Sequence, residues 1–196
     1  MWLIAGLGNP GPEYETTRHN LGFRALDLIS SRWNIPMATR GRVIAQGAGI
    51  HMGERVLLAK PLGYMNKSGV FLAPLVKQEG LDGSRILVLV DDMDLPLGTV
   101  RFRKKGRSAG HRGMESIIHH LGFDDFLRIR LGIGKPESQR ENVDFVLSGF
   151  DGDEEPVIDG MLETVVGLAE RVISEGEMEP VTMTATLKTN GTEEEL

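Results

Sequence analysis

Apolar and polar positions along this chain follow two rhythms, and the switches between them outline its elements. Residues 2–5 (WLIA) are a short apolar run of strand length, whereas Leu21, Ala25, Leu26, Ile29 and Trp33 recur at helical spacing. Residues 42–50 and 55–60 read as strands joined by the turn His51-Met52-Gly53-Glu54, a hairpin. A loop over residues 60–69 feeds a second helical segment to about Gly80, in which Pro74 is expected to kink the helix or mark a restart. Residues 86–90 (ILVLV) are continuously apolar, the mark of a central strand buried on both faces. Residues 99–103 alternate as a strand, 114–121 follow as a helix and 127–133 as another strand. Over residues 153–175, Val157, Met161, Val165, Leu168 and Val172 share one face of a long amphipathic helix, and residues 179–187 are expected to add a short final helix. Strands alternating with helices predict an α/β fold: a single globular domain over residues 1–188, with a central mixed twisted sheet flanked by helices. Residues 189–196 contain no core-forming run and are expected to form a frayed acidic tail.

Composition narrows the chemistry. A chain of 196 residues fits one domain with a full core, and the absence of cysteine excludes disulfides, thiolate catalysis and cysteine-ligated zinc or iron–sulfur clusters. A reducing cytoplasm is the expected compartment. Neither secretion nor membrane insertion is expected, because no charged leader precedes an apolar stretch and no apolar run approaches about 18 residues. The net charge of −6 conceals a split: residues 1–136 carry 19 basic and 12 acidic side chains, residues 137–196 carry 3 and 16. A basic two-thirds permits polyanion binding on one face, while overall acidity limits nonspecific adhesion to nucleic acid.

The stretch GLGNPGPEYETTRHN, residues 6–20, holds an amide (Asn9), a phenol (Tyr14) and an imidazole (His19) at a strand-to-helix corner. Its glycines match a dinucleotide-binding fingerprint, yet Pro10 and Pro12 stand where a helix should present free N–H groups, and the helical pattern starts only near Asn20. In open α/β sheets, sites lie beyond the carboxyl ends of the strands, and three clusters fall there: Asn9 to His19, Tyr64 to Asn66, and Asp91 to Asp94. A carboxylate ending a buried strand can accept from an imidazole and hold its tautomer, which pairs His19 as base with Asp91 as orienter. Taken singly, His19 reads as a helix cap and Asp91 as a turn residue. Ser68 and Ser108 lack the strained elbow of a serine hydrolase, so water is the nucleophile expected for His19, with Asn9 and Asn66 orienting it or donating to an oxyanion. Asp91, Asp92 and Asp94 raise a metal alternative, but neighbouring side chains on a strand point to opposite faces and no metal is expected. Arg101, Arg103, Lys104, Lys105, Arg107 and Arg112, with His111 among them, form a glycine-rich basic run suited to phosphate contact.

These motifs together resemble bacterial-type peptidyl-tRNA hydrolases. GLGNPGPEYETTRHN, KPLGYMNKSG, VDDMDLPLG, the Gly110-His111-Arg112-Gly113 loop, LRIRLGIG and DFVLSGF occur in the family's order across nearly the whole chain. The resemblance implies cleavage of the ester linking a peptide to the 3′ ribose of tRNA, recycling peptidyl-tRNA released prematurely from ribosomes. It implies a monomeric α/β protein with no metal or organic cofactor, which engages the acceptor stem and 3′ end of its substrate. On it, His19 matches the general base and Asp91 its orienting carboxylate, and Asn9 and Asn66 the amides that hold substrate and water. Tyr14 and Met65 match cleft positions near the peptide and terminal adenosine; Arg101, Arg103 and Arg130 match basic positions near the tRNA 5′ phosphate.

Two stretches depart from the family. Where it usually reads Gly-Gly-His-Asn-Gly-Leu, this chain has Ala109-Gly110-His111-Arg112-Gly113-Met114, and the threonine preceding Tyr-Met-Asn is Gly63. Arg112 could meet the ester carbonyl or a phosphate but cannot copy an amide, since it has no acceptor; a cation there would also lower the pKa of His19. Re-tuned turnover is the expectation. A noncatalytic RNA-binding relative that keeps the fold and the basic loop is the alternative, opposed by the intact His19, Asp91, Asn9 and Asn66. Hydrolysis of another N-blocked aminoacyl ester or amide is a third reading.

Overall fold

The computed structural model describes residues 1–41, 43–136, 142–176 and 178–185. Its strands are β1 (Trp2–Gly6), β2 (Ala38–Arg40), β3 (Ile44–His51), β4 (Glu54–Pro61), β5 (Ile86–Asp92), β6 (Thr99–Arg103), β7 (Leu127–Gly132) and β8 (Val181–Thr184). Its α-helices are α1 (Leu21–Arg32), α2 (Ser68–Glu79), α3 (Arg112–Leu121), α4 (Asn142–Leu147) and α5 (Glu155–Glu175). All the described strands join one mixed sheet in the order β2-β3-β4-β1-β5-β7-β6-β8. The middle four, β4, β1, β5 and β7, run parallel, so their carboxyl ends share one edge.

Burial on both faces explains the continuous apolar runs of the central strands. Trp2, Ile4, Leu87 and Leu89 pack with Leu26 and Ile29 of α1 and Met161 and Val165 of α5. Leu3, Ala5, Val88 and Val90 face the other way, against Leu72 and Val76 of α2 and Met114 and Ile117 of α3. The neighbouring strands β7 and β6, towards the β8 end of the sheet, break this pattern. Val100 opposite Leu131 and Phe102 opposite Ile129 are buried, whereas the alternate pairs are Arg101 opposite Arg130 and Arg103 opposite Arg128. One end of the sheet therefore has an apolar face and an arginine face.

Most expected elements form, with three differences. The helix does not restart at Pro74: α2 runs through it, because the residue is exposed and the carbonyl it leaves without an N–H partner can be met by water. Residues 181–184 form a strand rather than the final helix, since Val-Thr-Met-Thr alternates at period two and finds the open edge of β6. Two short elements, β2 and α4, had no distinct periodicity in the sequence. Position 42 of the first hairpin strand, the last residues of the expected final helix and the expected tail lie outside the described residues.

The first turn of α1 is packed almost into the sheet. A Cβ on Gly22 would lie 2.4 Å from the Leu89 carbonyl oxygen and 2.7 Å from the Leu7 nitrogen, and the Phe23 N–H donates to the Leu7 carbonyl at 3.1 Å. This close approach brings residues 17–20 against the end of β5. Gly22→Ala is therefore expected to cost about 1–3 kcal/mol through overpacking against rigid backbone, read as a lower midpoint in urea with an unchanged slope.

Candidate active site

The carboxyl ends of β1, β4 and β5 carry the three clusters singled out above, and they meet around one cleft of roughly 500 Å³. After β1 the chain makes two single 3₁₀ turns, Pro12–Tyr14 and Arg18–Asn20, before α1 begins. Asn20 stitches this loop back on itself: the Asn9 N–H donates to its Oδ1 at 2.8 Å, and its Nδ2 donates to the Asn9 carbonyl at 2.9 Å. The Asn9 Oδ1 in turn accepts from the Met65 N–H at 2.7 Å. The β1 and β4 loops are thus joined through Asn9, and its Nδ2 is the group it has left for the cleft.

Asp91 lies at the centre. Its carboxylate is buried and accepts from two imidazoles, His19 Nδ1 at 2.9 and 3.0 Å and His111 Nε2 at 2.9 Å. His111 Nδ1 accepts from the Gly113 and Met114 N–H groups at 3.1 and 3.2 Å, capping α3. With that nitrogen serving as acceptor, Nε2 must carry the proton given to Asp91. Burial opposes charge on Asp91, but the two histidines outweigh it and hold the carboxyl well below the usual range. Burial also disfavours imidazolium at His19; attraction and hydrogen bonding by Asp91 outweigh it, and its pKa is raised. Arg112 draws His19 downwards, as its charge requires, without reversing that rise. With Nδ1 committed to Asp91, Nε2 is the ring atom able to take a proton.

His19, Asp91 and His111 bring three ligand-type atoms within 4.8 Å of one another. The cap on His111 argues against their use as a metal site, because a ring accepting at Nδ1 has no lone pair to offer from Nε2. The neighbouring carboxylates are engaged separately: Asp92 pairs with Arg130 at 2.5 Å and Asp94 with Lys135 at 2.7 Å.

Asn9, His19, Met65, Asn66, Asp91, His111, Arg112 and Arg130 all line the cleft. Tyr14, Arg101 and Arg103 do not; Arg101 reaches across to Thr182 on β8, and burial together with repulsion from Arg101 and Arg130 pushes the pKa of Arg103 down. Gly63 has a packing reason in this chain, since a Cβ there would lie 2.1 Å from the Phe71 ring. Sequence reasoning named His111 as a candidate for substrate or phosphate contact but not as a partner of Asp91, and it gave Asn20 and Arg128 no role. Arg128 is 2 % exposed and donates to the carbonyls of Gly106, Asp124 and Phe126, fastening the basic loop to β7. Burial, with some repulsion from Arg130 and against attraction by Asp124, pushes its pKa down to about 10.

Comparison with known proteins places this architecture. The family model described as peptidyl-tRNA hydrolase matches residues 3–193. The chain is 44 % identical to the peptidyl-tRNA hydrolase of Bacillus subtilis over 174 residues, 89 % of this chain and 93 % of that protein. It is also 44 % identical to the Synechococcus sp. enzyme over 175 residues, 89 % of this chain and 78 % of that one. The crystal structure of peptidyl-tRNA hydrolase from Acinetobacter baumannii superposes with a TM-score of 0.82 at 31 % identity, over 90 % of this chain and 92 % of that one. Sequence match along almost the whole length and agreement in fold lead to one conclusion: this chain belongs to the peptidyl-tRNA hydrolase family and is a hydrolase.

Proposed function

We propose that the cleft hydrolyses the ester between a peptide, or an N-blocked aminoacyl group, and the 3′ ribose of tRNA, recycling prematurely released peptidyl-tRNA. The observation that carries this reading is the His19–Asp91 contact at the base of a cleft rimmed by amides and cations. His19 Nε2 removes a proton from water as that water attacks the ester carbonyl, and Asp91 holds the ring and stabilises the imidazolium that forms. Asn9 Nδ2 and Asn66 position the water and substrate and donate to the developing oxyanion. The imidazolium then returns its proton to the departing ribose oxygen. His111 keeps Asp91 charged and in place, while Met65 and Tyr14 meet the peptide and terminal adenosine.

The arginine face gives this reaction its substrate class. Arg101, Arg103 and Arg130 supply fixed positive charge beside the cleft, suited to tRNA phosphates, and Arg112 adds a cation within it. Backbone charge and shape rather than base identity are what such a surface reads, as an enzyme serving many tRNAs needs. In this reading the protein works in the cytoplasm as a monomer, from one domain over residues 1–188, without a metal or organic cofactor. Among the described residues no helix is long and apolar enough to cross a membrane.

His19→Ala is expected to lower turnover of N-acetyl-aminoacyl-tRNA by about 10²–10⁴-fold, with chelator present, while tRNA affinity stays within about threefold. Undiminished release of the blocked amino acid would refute the base; no release by the parent protein, with tRNA still bound, would favour the noncatalytic RNA-binding relative.

The pH dependence follows from the raised pKa of His19. A base works unprotonated, so kcat/KM is expected to rise with pH through an ionisation above the ordinary histidine value of about 6.5. Asp91→Asn removes the charge that raises it and should shift this limb to lower pH while lowering the plateau. Arg112→Asn removes an opposing cation and should shift the limb to higher pH; identical pH profiles and kinetics for the parent and this variant would remove Arg112 from the site.

A further inference from the structure

Arg18, the residue before His19, is 6 % exposed and has more partners than any role given to it above explains. Its backbone N–H donates to the Ser148 carbonyl at 2.9 Å, and the preceding Thr17 bridges Gly149. Its guanidinium forms a fork with Glu154 at 2.6 and 3.3 Å and donates to the Ile133 carbonyl at 3.3 Å. The same group lies 4.6 Å from the ring centroids of both Phe145 and Phe150. Phe145 belongs to α4 and Phe150 follows it, so one side chain gathers the C-terminal half of this short helix and the segment after it onto the loop carrying His19.

The other side of α4 faces the cleft. Val143, Val146 and Leu147 line it; Val146 is partly buried against the core, whereas Val143 and Leu147 are 58 % and 38 % exposed, so the wall turns apolar surface towards the cleft. A helix of 6 residues has little stability of its own, so its place depends on tertiary contacts. Cation–π contact, a carboxylate fork and a carbonyl bond meeting at one planar group are what arginine provides and lysine does not.

We propose that Arg18 is a positioning residue that fixes the α4 wall relative to His19, so that substrate held against the wall presents its ester to the base. The proposal rests on the reading of the cleft given above. It assigns Arg18 no proton transfer and no contact with substrate: its effect passes through α4. Loss of the guanidinium loosens the wall and weakens substrate binding, while the His19–Asp91 pair, held by β5 and His111, keeps its chemistry.

Arg18→Lys and Glu154→Gln test this, with N-acetyl-aminoacyl-tRNA as substrate and circular dichroism to establish folding. Arg18→Lys is expected to raise KM about five- to twentyfold with kcat changed less than about threefold, and Glu154→Gln to raise KM about two- to fivefold. The acid limb of the pH profile should stay where it is in the parent. Amide exchange over residues 143–148 should quicken about tenfold, with β5 unaffected. A folded Arg18→Lys protein with unchanged KM, or with a loss confined to kcat, would overturn the role; should that variant not fold, an unchanged KM in Glu154→Gln would do the same. An inactive parent protein overturns the reading of the cleft and the role of Arg18 with it, whereas an active parent with unmoved KM overturns the role alone.

Discussion

A carboxylate buried at the end of a central strand must be given partners or lose its charge, and the way Asp91 meets that requirement organises this protein. One imidazole comes from the loop before α1, the other from the residue that caps α3, and the strand itself lies in the middle of the sheet. Two segments that cover opposite faces of the sheet are thereby tied to one anion on the strand between them. Each contact has a structural reason of its own. His111 is held by the N–H groups of α3, and His19 is carried inwards because Gly22 lets α1 sit against the strands. The resulting arrangement leaves one ring nitrogen, Nε2 of His19, without a structural duty, which is the atom the proposed chemistry needs.

The outer strands show a second constraint. Strands towards one end of a sheet can have one face in the core and the other turned away from it, and β6 and β7 use that second face for four arginines in two opposed pairs. Like charges directly across a ladder are unfavourable, so the pairs are accommodated rather than stabilising. Arg128 resolves its share by turning to backbone carbonyls, and Arg130 by pairing with Asp92. Arg101 and Arg103 remain with few partners among the described residues, a charge excess that stability does not explain and that the proposed binding of tRNA phosphates would use.

The cleft also shows how second-layer residues divide the work. Asn20, Arg128 and Arg18 each hold a loop rather than face the cleft with a reactive group: the first joins the β1 loop to itself, the second fastens the basic loop to β7, and the third gathers α4 onto the His19 loop. Precise placement of a base needs such supports, because side chains carried on loops are otherwise free to move.

From the sequence alone came the α/β class, nearly every long element, the three loops at strand ends, and the pairing of His19 with Asp91, since periodicity, turn residues and motif spacing are properties of neighbouring residues. The family resemblance rested on the same local signals. Other features depended on contacts between segments far apart in the chain. The strand order, with β1 between β4 and β5, sets which loops become neighbours. The second imidazole on Asp91 comes from 20 residues away and the first from 72, and no local pattern marked His111 as a partner rather than a member of a basic run. The strand nature of residues 181–184 depended on an open edge at β6, and the continuity of α2 through Pro74 on that residue facing water. Nothing in the sequence marked Arg18 or Arg128, whose roles arise only where the fold surrounds them with rings and carbonyls. Local chemistry determined what each segment of this protein is; long-range packing decided which side chains share the cleft, because burial and charge compensation exist only once distant segments meet.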